Sequence, residues 1–235
     1  FPVGLFAAIP ANHTTTCTGG TLDVTTNTTR STVSLTGATM PANSSCTVTL
    51  SVNPRDGGTF HNVIVIGDVY SANIPANTAS ATDTLTAPSR PTVFKTFTPA
   101  TINVTETSTL SITMSNSNAF AATGLTMTDS LPNPIVIAAT PNVTNSCGGT
   151  VSAPAGGNIV SLSGGTIPAS GSCIVTVSVR SNLPGITTTN TIAADSVTTT
   201  NIGTNRVGAG AVITVRSSPY AVKAFSPASI TAGGI

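Results

Sequence analysis

The chain has 235 residues, 39% of them hydrophobic and only 6% charged, with no Trp and a formal net charge of +1. Soluble domains carry about a quarter charged residues, so this chain must be solvated by hydroxyls and amides, and Thr alone is about one residue in five. Nucleic acid and anionic membrane surfaces are therefore not expected partners, and no run approaches the roughly 18 apolar residues that cross a bilayer.

Self-similarity sets the frame in which the elements are read. VFKTFTPATI, at 93–102, returns as AVKAFSPASI, at 221–230, which places Lys95 and Lys223 at 223 − 95 = 128 residues apart. Asn62 and Asn190 stand at the same spacing, and LTGATMPANSSCTVTLSV, from Leu35, matches LSGGTIPASGSCIVTVSV, from Leu162. In chain order, residues 1–90 read as the later part of a first repeat. Phe1-Pro2 aligns with Leu131-Pro132, so this repeat has no counterpart of 90–130. Phe1-Pro2-Val3-Gly4 also lacks the basic and apolar regions of a signal peptide.

Residues 91–218 read as a complete repeat. Its predicted strands are 92–97, 107–114, 125–130, 135–138, 159–162, 173–179, 187–193 and 211–215. The alternation is clearest at Leu110, Ile112 and Met114 and again at Val175, Val177 and Val179. Gly, Pro, Asn and Ser clusters separate these runs, no helical period persists, and the Gly-Gly pairs at 19, 57, 148, 156 and 164 read as β-turns. Seven to nine short strands in about 128 residues predict an all-β fold of tandem immunoglobulin-like sandwiches, with an up-and-down barrel as the other option. Residues 219–235 read as the first strand of a following repeat.

The four cysteines fall two to a repeat at matching places, Cys17 with Cys46 and Cys147 with Cys173. Pairing within each repeat is the economical expectation, with two buried free thiols per repeat as the alternative, and lasting disulfides imply an oxidising compartment. Metal binding is not expected, because there is no C-x-x-C, His13 and His61 are isolated, and Asp23, Asp56, Asp68, Asp83 and Asp195 are scattered singly. No cofactor is expected either, and no Ser-His-Asp arrangement, phosphate loop or recurring catalytic His points to an enzyme.

The chain contains two lysines, both at the same repeat position, whereas solubilising lysines scatter. Lys95 lies between Phe94 and Phe97, so its stem belongs to an apolar strand. A buried, unpaired ammonium tends to lose its proton, and a neutral lysine in an apolar pocket is a nucleophile. Alternatively, Lys95 snorkels to solvent, Asp129 caps the turn before Leu131-Pro132, and Asn190 serves backbone groups at a strand end.

The succession KTFTPATINVTETSTLSITMSNSN, LTMTDSLP, SLSGGTIPASGSC and TTTNTI resembles the conserved repeat domain of bacterial surface proteins. That domain family, of unknown function, occurs in long tandem arrays and is similar to immunoglobulin-like and collagen-adhesin stalk domains. The resemblance implies that a first-strand Lys can bond covalently to a late-strand Asn with help from a buried acid. Here those residues would be Lys95, Asn190 and Asp129, with Glu106 in the NVTET turn as the rival acid. By the phase of the repeats, residues 219–235 are expected to provide the first strand of a sandwich whose later strands are 1–90 of another unit, so that Lys223 meets Asn62, with that unit following in the same polypeptide or donated by a neighbour as in β-strand complementation.

The expected function is accordingly a structural module of an extracellular bacterial fibre, stalk or filament whose partners are neighbouring repeats or copies of itself. The alternatives are an adhesin that binds glycan, ice or another protein through Thr-rich faces and, less favoured, a secreted hydrolase or its accessory domain. The Asn-X-Ser/Thr sequons at Asn12, Asn27, Asn43, Asn103 and Asn142 are expected by chance in so Thr- and Asn-rich a chain.

Overall fold

The structure, a computed structural model, describes residues 1–217 and 221–233. Among the described residues every element is a strand or turn, and the chain divides into two compact units, Phe1–Arg90 and Pro91–Ile235.

The second unit is a β-sandwich. Its strands are β9 (Thr92–Thr98), β10 (Thr101–Ile102), β11 (Thr107–Asn116), β12 (Ala122–Ser130), β13 (Val136–Ile137), β14 (Thr144–Asn145), β15 (Thr150–Ser152), β16 (Ile159–Ile167), β17 (Gly171–Arg180), β18 (Ile186–Ile192), β19 (Val197–Thr198) and β20 (Ala209–Val215). One sheet runs β13-β17-β11-β9, with β14 also on β17; a second runs β15-β16-β12-β19; a third runs β10-β20-β18. Alternation does the sorting: Leu110, Ile112 and Met114 on β11 and Val175, Val177 and Val179 on β17 all face one buried core with Leu125, Met127, Leu162 and Ile213. Each such side chain contributes about 1.5–3 kcal/mol on burial, so apolar burial rather than surface charge is the main favourable term for the unit.

The first unit carries β1 (Leu5–Ala7), β2 (Thr14–Thr15), β3 (Thr21–Thr26), β4 (Ser31–Thr36), β5 (Val48–Thr49), β6 (Val52–Pro54), β7 (Gly58–Ile64) and β8 (Ala81–Ala87). These pair as four two-stranded ribbons, β1-β6, β2-β5, β3-β4 and β7-β8. They are the counterparts of β13 to β18 and β20; β7 and β8 fall at the positions of β18 and β20. Nothing in residues 1–90 corresponds to β9, β11 or β12, and side chains whose counterparts are core stand open: Met40 is 53% exposed where Ile167 is buried.

One turn expectation fails. Gly164 and Gly165 lie inside β16, where β12 pairs Leu125 with Gly165 and Met127 with Leu162, so β16 carries an extra residue. The left-handed Gly164 (φ 71°) makes this a β-bulge rather than a chain reversal. Gly165 faces Cys147: a Cβ there would meet the Cys147 carbonyl oxygen at 3.2 Å, so the loop carrying Cys147 packs where a side chain would be.

An asparagine bracket recurs in both units without any sequence motif to announce it. The Asn205 side chain accepts from the Val197 N–H at 2.7 Å and donates to the carbonyls of Ala193 and Val207 at 2.9 and 3.0 Å. Asn77 holds the matching loop, accepting from Gly67 and Val69 and donating to Val65 and Ala79. Asn205 is fully buried, so Asn205→Ala strands the buried Val197 N–H, at about 1–3 kcal/mol for an unsatisfied group, while the bonds to the Ala193 and Val207 carbonyls are only part-buried. Urea unfolding is expected to show a loss of about 2–3 kcal/mol for Asn205→Ala and under about 1 kcal/mol for the solvent-accessible Asn77→Ala.

Candidate functional site

Both expected disulfides form. Cys17–Cys46 spans 29 residues, Cys147–Cys173 spans 26, and no cysteine is free. Their surroundings differ, because Cys147 and Cys173 are buried in the core while Cys17 and Cys46 are partly exposed. Thiol exchange requires access to a sulfur. Under limiting reductant, alkylation and mass mapping are expected to find Cys17–Cys46 opened well before Cys147–Cys173; simultaneous opening would contradict the packing described here.

Strand alternation in β9 turns Phe94 out to solvent and sends Lys95 and Phe97 inward; Lys95 is 2% exposed. Lys95 pairs in register with Ile112, so its neighbours on that sheet are apolar. Asp129, fully buried, arrives from β12 opposite Val160, and Asn190, also fully buried, from β18 opposite Ala211. Three sheets thus deliver one side chain each to a single point in the core. Lys95 Nζ donates to Asp129 Oδ2 at 2.7 Å, and Asn190 Nδ2 donates to the same oxygen at 3.0 Å. Amine and carboxamide therefore lie within two hydrogen-bond lengths of each other. The snorkelling, capping and strand-end roles weighed for these residues do not describe this geometry.

The electrostatics of the cluster are unusual in two respects. Burial pushes the Lys95 ammonium below the ordinary lysine pKa, against the attraction and hydrogen bond of Asp129. Asp129 Oδ1 and Asn190 Oδ1, both buried, have no hydrogen-bond donor. A buried acceptor left unmet costs about 1–3 kcal/mol, and two occur in one cluster. A proton carried on Asp129 would turn one of these oxygens from acceptor to donor. The arrangement thus unites a lysine biased toward its nucleophilic form, a carboxamide carbon, and an acid positioned between them.

The rival acid, Glu106, is exposed and serves a turn. It accepts from the Asn103 N–H at 2.9 Å and from Asn103 Nδ2 at 3.0 Å, and these bonds hold its carboxyl below the usual range. Among the described residues no group of three His, Cys, Asp or Glu could hold a metal ion, and His61 bonds Thr84 Oγ1 at 2.9 Å. No helix among the described residues is long and apolar enough to cross a membrane.

The second lysine–asparagine set lies in separate units. Asn62, on β7, is partly exposed and stands directly opposite Asp83 on β8. Sequence reading passes over Asp83 because the hairpin register, not the sequence spacing, brings it to Asn62. Lys223 is exposed, its ammonium 5.4 Å from the Phe225 ring centroid. Of the segment 219–235, residues 219, 220, 234 and 235 lie outside the described residues, and 221–233 form no strand.

No curated protein matches the chain. Among solved structures it is similar to BslA, described as a bacterial hydrophobin, with 20% identity over 56% of this chain and 98% of that one and a TM-score of 0.37. It is also similar to a non-cellulosomal cohesin from the hyperthermophilic archaeon Archaeoglobus fulgidus, with 10% identity over 55% of this chain and 93% of that one and a TM-score of 0.31. The family model described as Domain of unknown function (DUF7933) matches residues 1–87 and again 91–215, one match in each unit. With most of its length covered by these two matches, the chain belongs to the DUF7933 family of domains of unknown function.

Proposed function

We propose that the chain is a structural repeat module of an extracellular bacterial surface fibre, stalk or filament, locked by disulfides and by a self-formed Lys95–Asn190 isopeptide bond. The observation that carries this reading is the buried cluster in which Lys95 and Asn190 both donate to Asp129 Oδ2. In the reaction Lys95 passes a proton to Asp129, and the neutral amine attacks Asn190 Cγ while Asp129 polarises the carbonyl. The Cγ–Nδ2 bond breaks and ammonia leaves, Nζ retains one hydrogen in the new amide, and Asp129 keeps one proton. No oxidant or cofactor enters the balance. The cluster acts once, on its own chain, and is not a turnover site.

Two disulfides add to this picture, since bonds of this kind persist in oxidising compartments outside the cytosol. The adhesive reading draws less support from the Thr-rich faces, because exposed threonines bond one another across strands. Thr126 pairs with Thr198, and Thr144 with Thr176, each at 2.6 Å.

Intact-mass measurement tests the proposal. The disulfide-bonded chain is expected to weigh one ammonia less than its sequence, with a digest yielding Lys95 and Asn190 in one branched peptide, and Lys95→Arg is expected to restore the full mass. A wild-type chain of full mass with no branched peptide would overturn it.

A further inference from the structure

We infer that Ala211 positions the acid of the crosslink: by staying small opposite Asn190 it admits Asp129 from β12, and a carboxylate at its own place can do the same work. The inference rests on the chemistry proposed for Lys95 and Asn190, and adds to it the residue that decides which strand supplies the acid.

The repeat provides the first observation. Asn62 and Asn190 are 190 − 62 = 128 residues apart, and Asp83 and Ala211 are 211 − 83 = 128 apart. Both hairpins keep one register, with Asn190 opposite Ala211 on β18 and β20 and Asn62 opposite Asp83 on β7 and β8. Directly opposed residues share a face of their sheet, with Cβ atoms about 4.5–5.5 Å apart. On β20 that face carries Ala211, Ile213 and Val215, all buried. Asp83 stands on the equivalent line of β8, followed by Leu85 and Ala87. A carboxylate is out of place on a line whose counterpart is core, unless a polar group meets it there. The group set opposite it is the carboxamide at the position that reacts in the second unit.

The second unit shows what an acid at this place would reach. β20 is paired with β18 along its length and also packs against β9, the strand of Lys95. Ala211 therefore sits on the strand that touches both the amine's strand and the carboxamide's. Asp129 comes instead from another sheet, its Oδ2 accepting from Lys95 Nζ at 2.7 Å and from Asn190 Nδ2 at 3.0 Å. One methyl group is all that β20 places opposite Asn190, and a longer apolar side chain would take the space in front of the carboxamide. Asn190 Oδ1 is buried with no hydrogen-bond donor among the described residues. A protonated carboxyl has one O–H to give, and from across the hairpin it would offer the donor that this oxygen lacks.

With Asp129→Ala and Ala211→Asp combined, the step balances as before. The introduced carboxylate takes one proton from the Lys95 ammonium and keeps it. Nζ bonds Asn190 Cγ, the Cγ–Nδ2 bond breaks, and the amine's second proton leaves with that nitrogen as ammonia.

Intact mass and digest mapping of the full chain test the inference, with urea unfolding recorded for every variant. Exchanging the two side chains conserves composition, charge and total volume, the kind of change that cores tolerate best. Asp129→Ala alone is expected to crosslink about a hundredfold more slowly or worse, the scale of general acid–base catalysis, and so to retain its ammonia. Asp129→Ala/Ala211→Asp is expected to lose one ammonia again and to yield the Lys95–Asn190 branched peptide. Ala211→Val, with Asp129 kept, decides even where the exchange does not fold: it crowds the carboxamide and slows crosslinking by up to about a hundredfold, the scale of a misplaced reacting group, whereas Ala211→Gly crosslinks fully. An exchange variant that unfolds cooperatively yet keeps its full mass, or Ala211→Val crosslinked as fast as the wild type, would overturn the inference. A residue with a structural role alone shifts the urea midpoint and leaves the mass unchanged. The wild type is scored in the same digests. Its branched peptide without rescue in the exchange sinks the role of Ala211 alone, and the absence of that peptide sinks the chemistry beneath it.

Discussion

In the Asn190→Ala background, which cannot form the crosslink, Asp129→Asn is expected to lower the stability of the second unit by a further ~3–5 kcal/mol, the cost of breaking a buried ion pair from one side. Lys95 has no solvent-exposed side-chain surface, and its ammonium meets one charged partner at 2.7 Å. Removing that carboxylate leaves a cation in an apolar core. The double variant Lys95→Met/Asp129→Asn in the same background is expected to recover more than half of the loss, because neutral side chains of similar size can replace a buried pair at little cost. A double variant as unstable as Asp129→Asn would show that something other than the orphaned charge is responsible.

The same variant should acquire a distinctive pH dependence. Burial already lowers the Lys95 pKa in the folded chain, and Asp129 is what opposes that shift. In Asp129→Asn the folded chain therefore releases its lysine proton at a pH where the unfolded chain, with a lysine near about 10.4, still holds one. The unfolded state binds more protons throughout that window, so stability rises with pH between the lowered folded pKa and about 10.4 and levels off above it. The slope should approach about 1.4 kcal/mol per pH unit. A crosslinked wild-type chain has no amine at Lys95 to titrate and should lack this rise, which urea titrations across alkaline pH will show.

Much of this was legible before any coordinates. The recurrence of Lys95 at Lys223 and of Asn190 at Asn62 marked these residues as positional, and the apolar strand around Lys95 pointed to a core-facing stem without deciding between that and snorkelling; the alternation of β9 places it inward beside Phe97. Asp129 was legible only through resemblance, since nothing in 34 residues of separation says that β12 and β9 face each other across a core. What remained hidden depends on register. The bulge at Gly164 looks like a turn because a left-handed glycine serves either purpose, and only the pairing with β12 distinguishes them. The Asn77 and Asn205 brackets bond backbone groups, which leave no imprint on neighbouring residue types. Asp83 reads as one of several scattered acids until the β7–β8 hairpin sets it opposite Asn62.

Asn190→Ala is expected to reveal how much the covalent bond contributes. A link between Lys95 and Asn190 closes a loop of 190 − 95 = 95 residues, and by the loop-closure entropy used for disulfides this stabilises the fold by about 4–5 kcal/mol. The variant also loses one hydrogen bond to Asp129, worth about 1 kcal/mol. These magnitudes separate the cases: a loss of about 5–6 kcal/mol, or a fall in Tm of about 10–20 °C, requires the bond, and a loss of about 1 kcal/mol excludes it. Topology gives the bond a mechanical role beyond this equilibrium term. β9 lies at the end of its sheet, paired among the described residues with β11 alone, while β18 is hydrogen-bonded along its length to β20, the last strand among the described residues. Tension applied through the chain therefore passes from β9 through the Lys95–Asn190 amide into β18 and across the ladder to β20. The residues between 95 and 190 carry none of it. Single-molecule pulling on the wild type should never release that stretch, whereas Asn190→Ala should unravel it in one step once β9 peels from β11, apart from the loop that Cys147–Cys173 keeps closed.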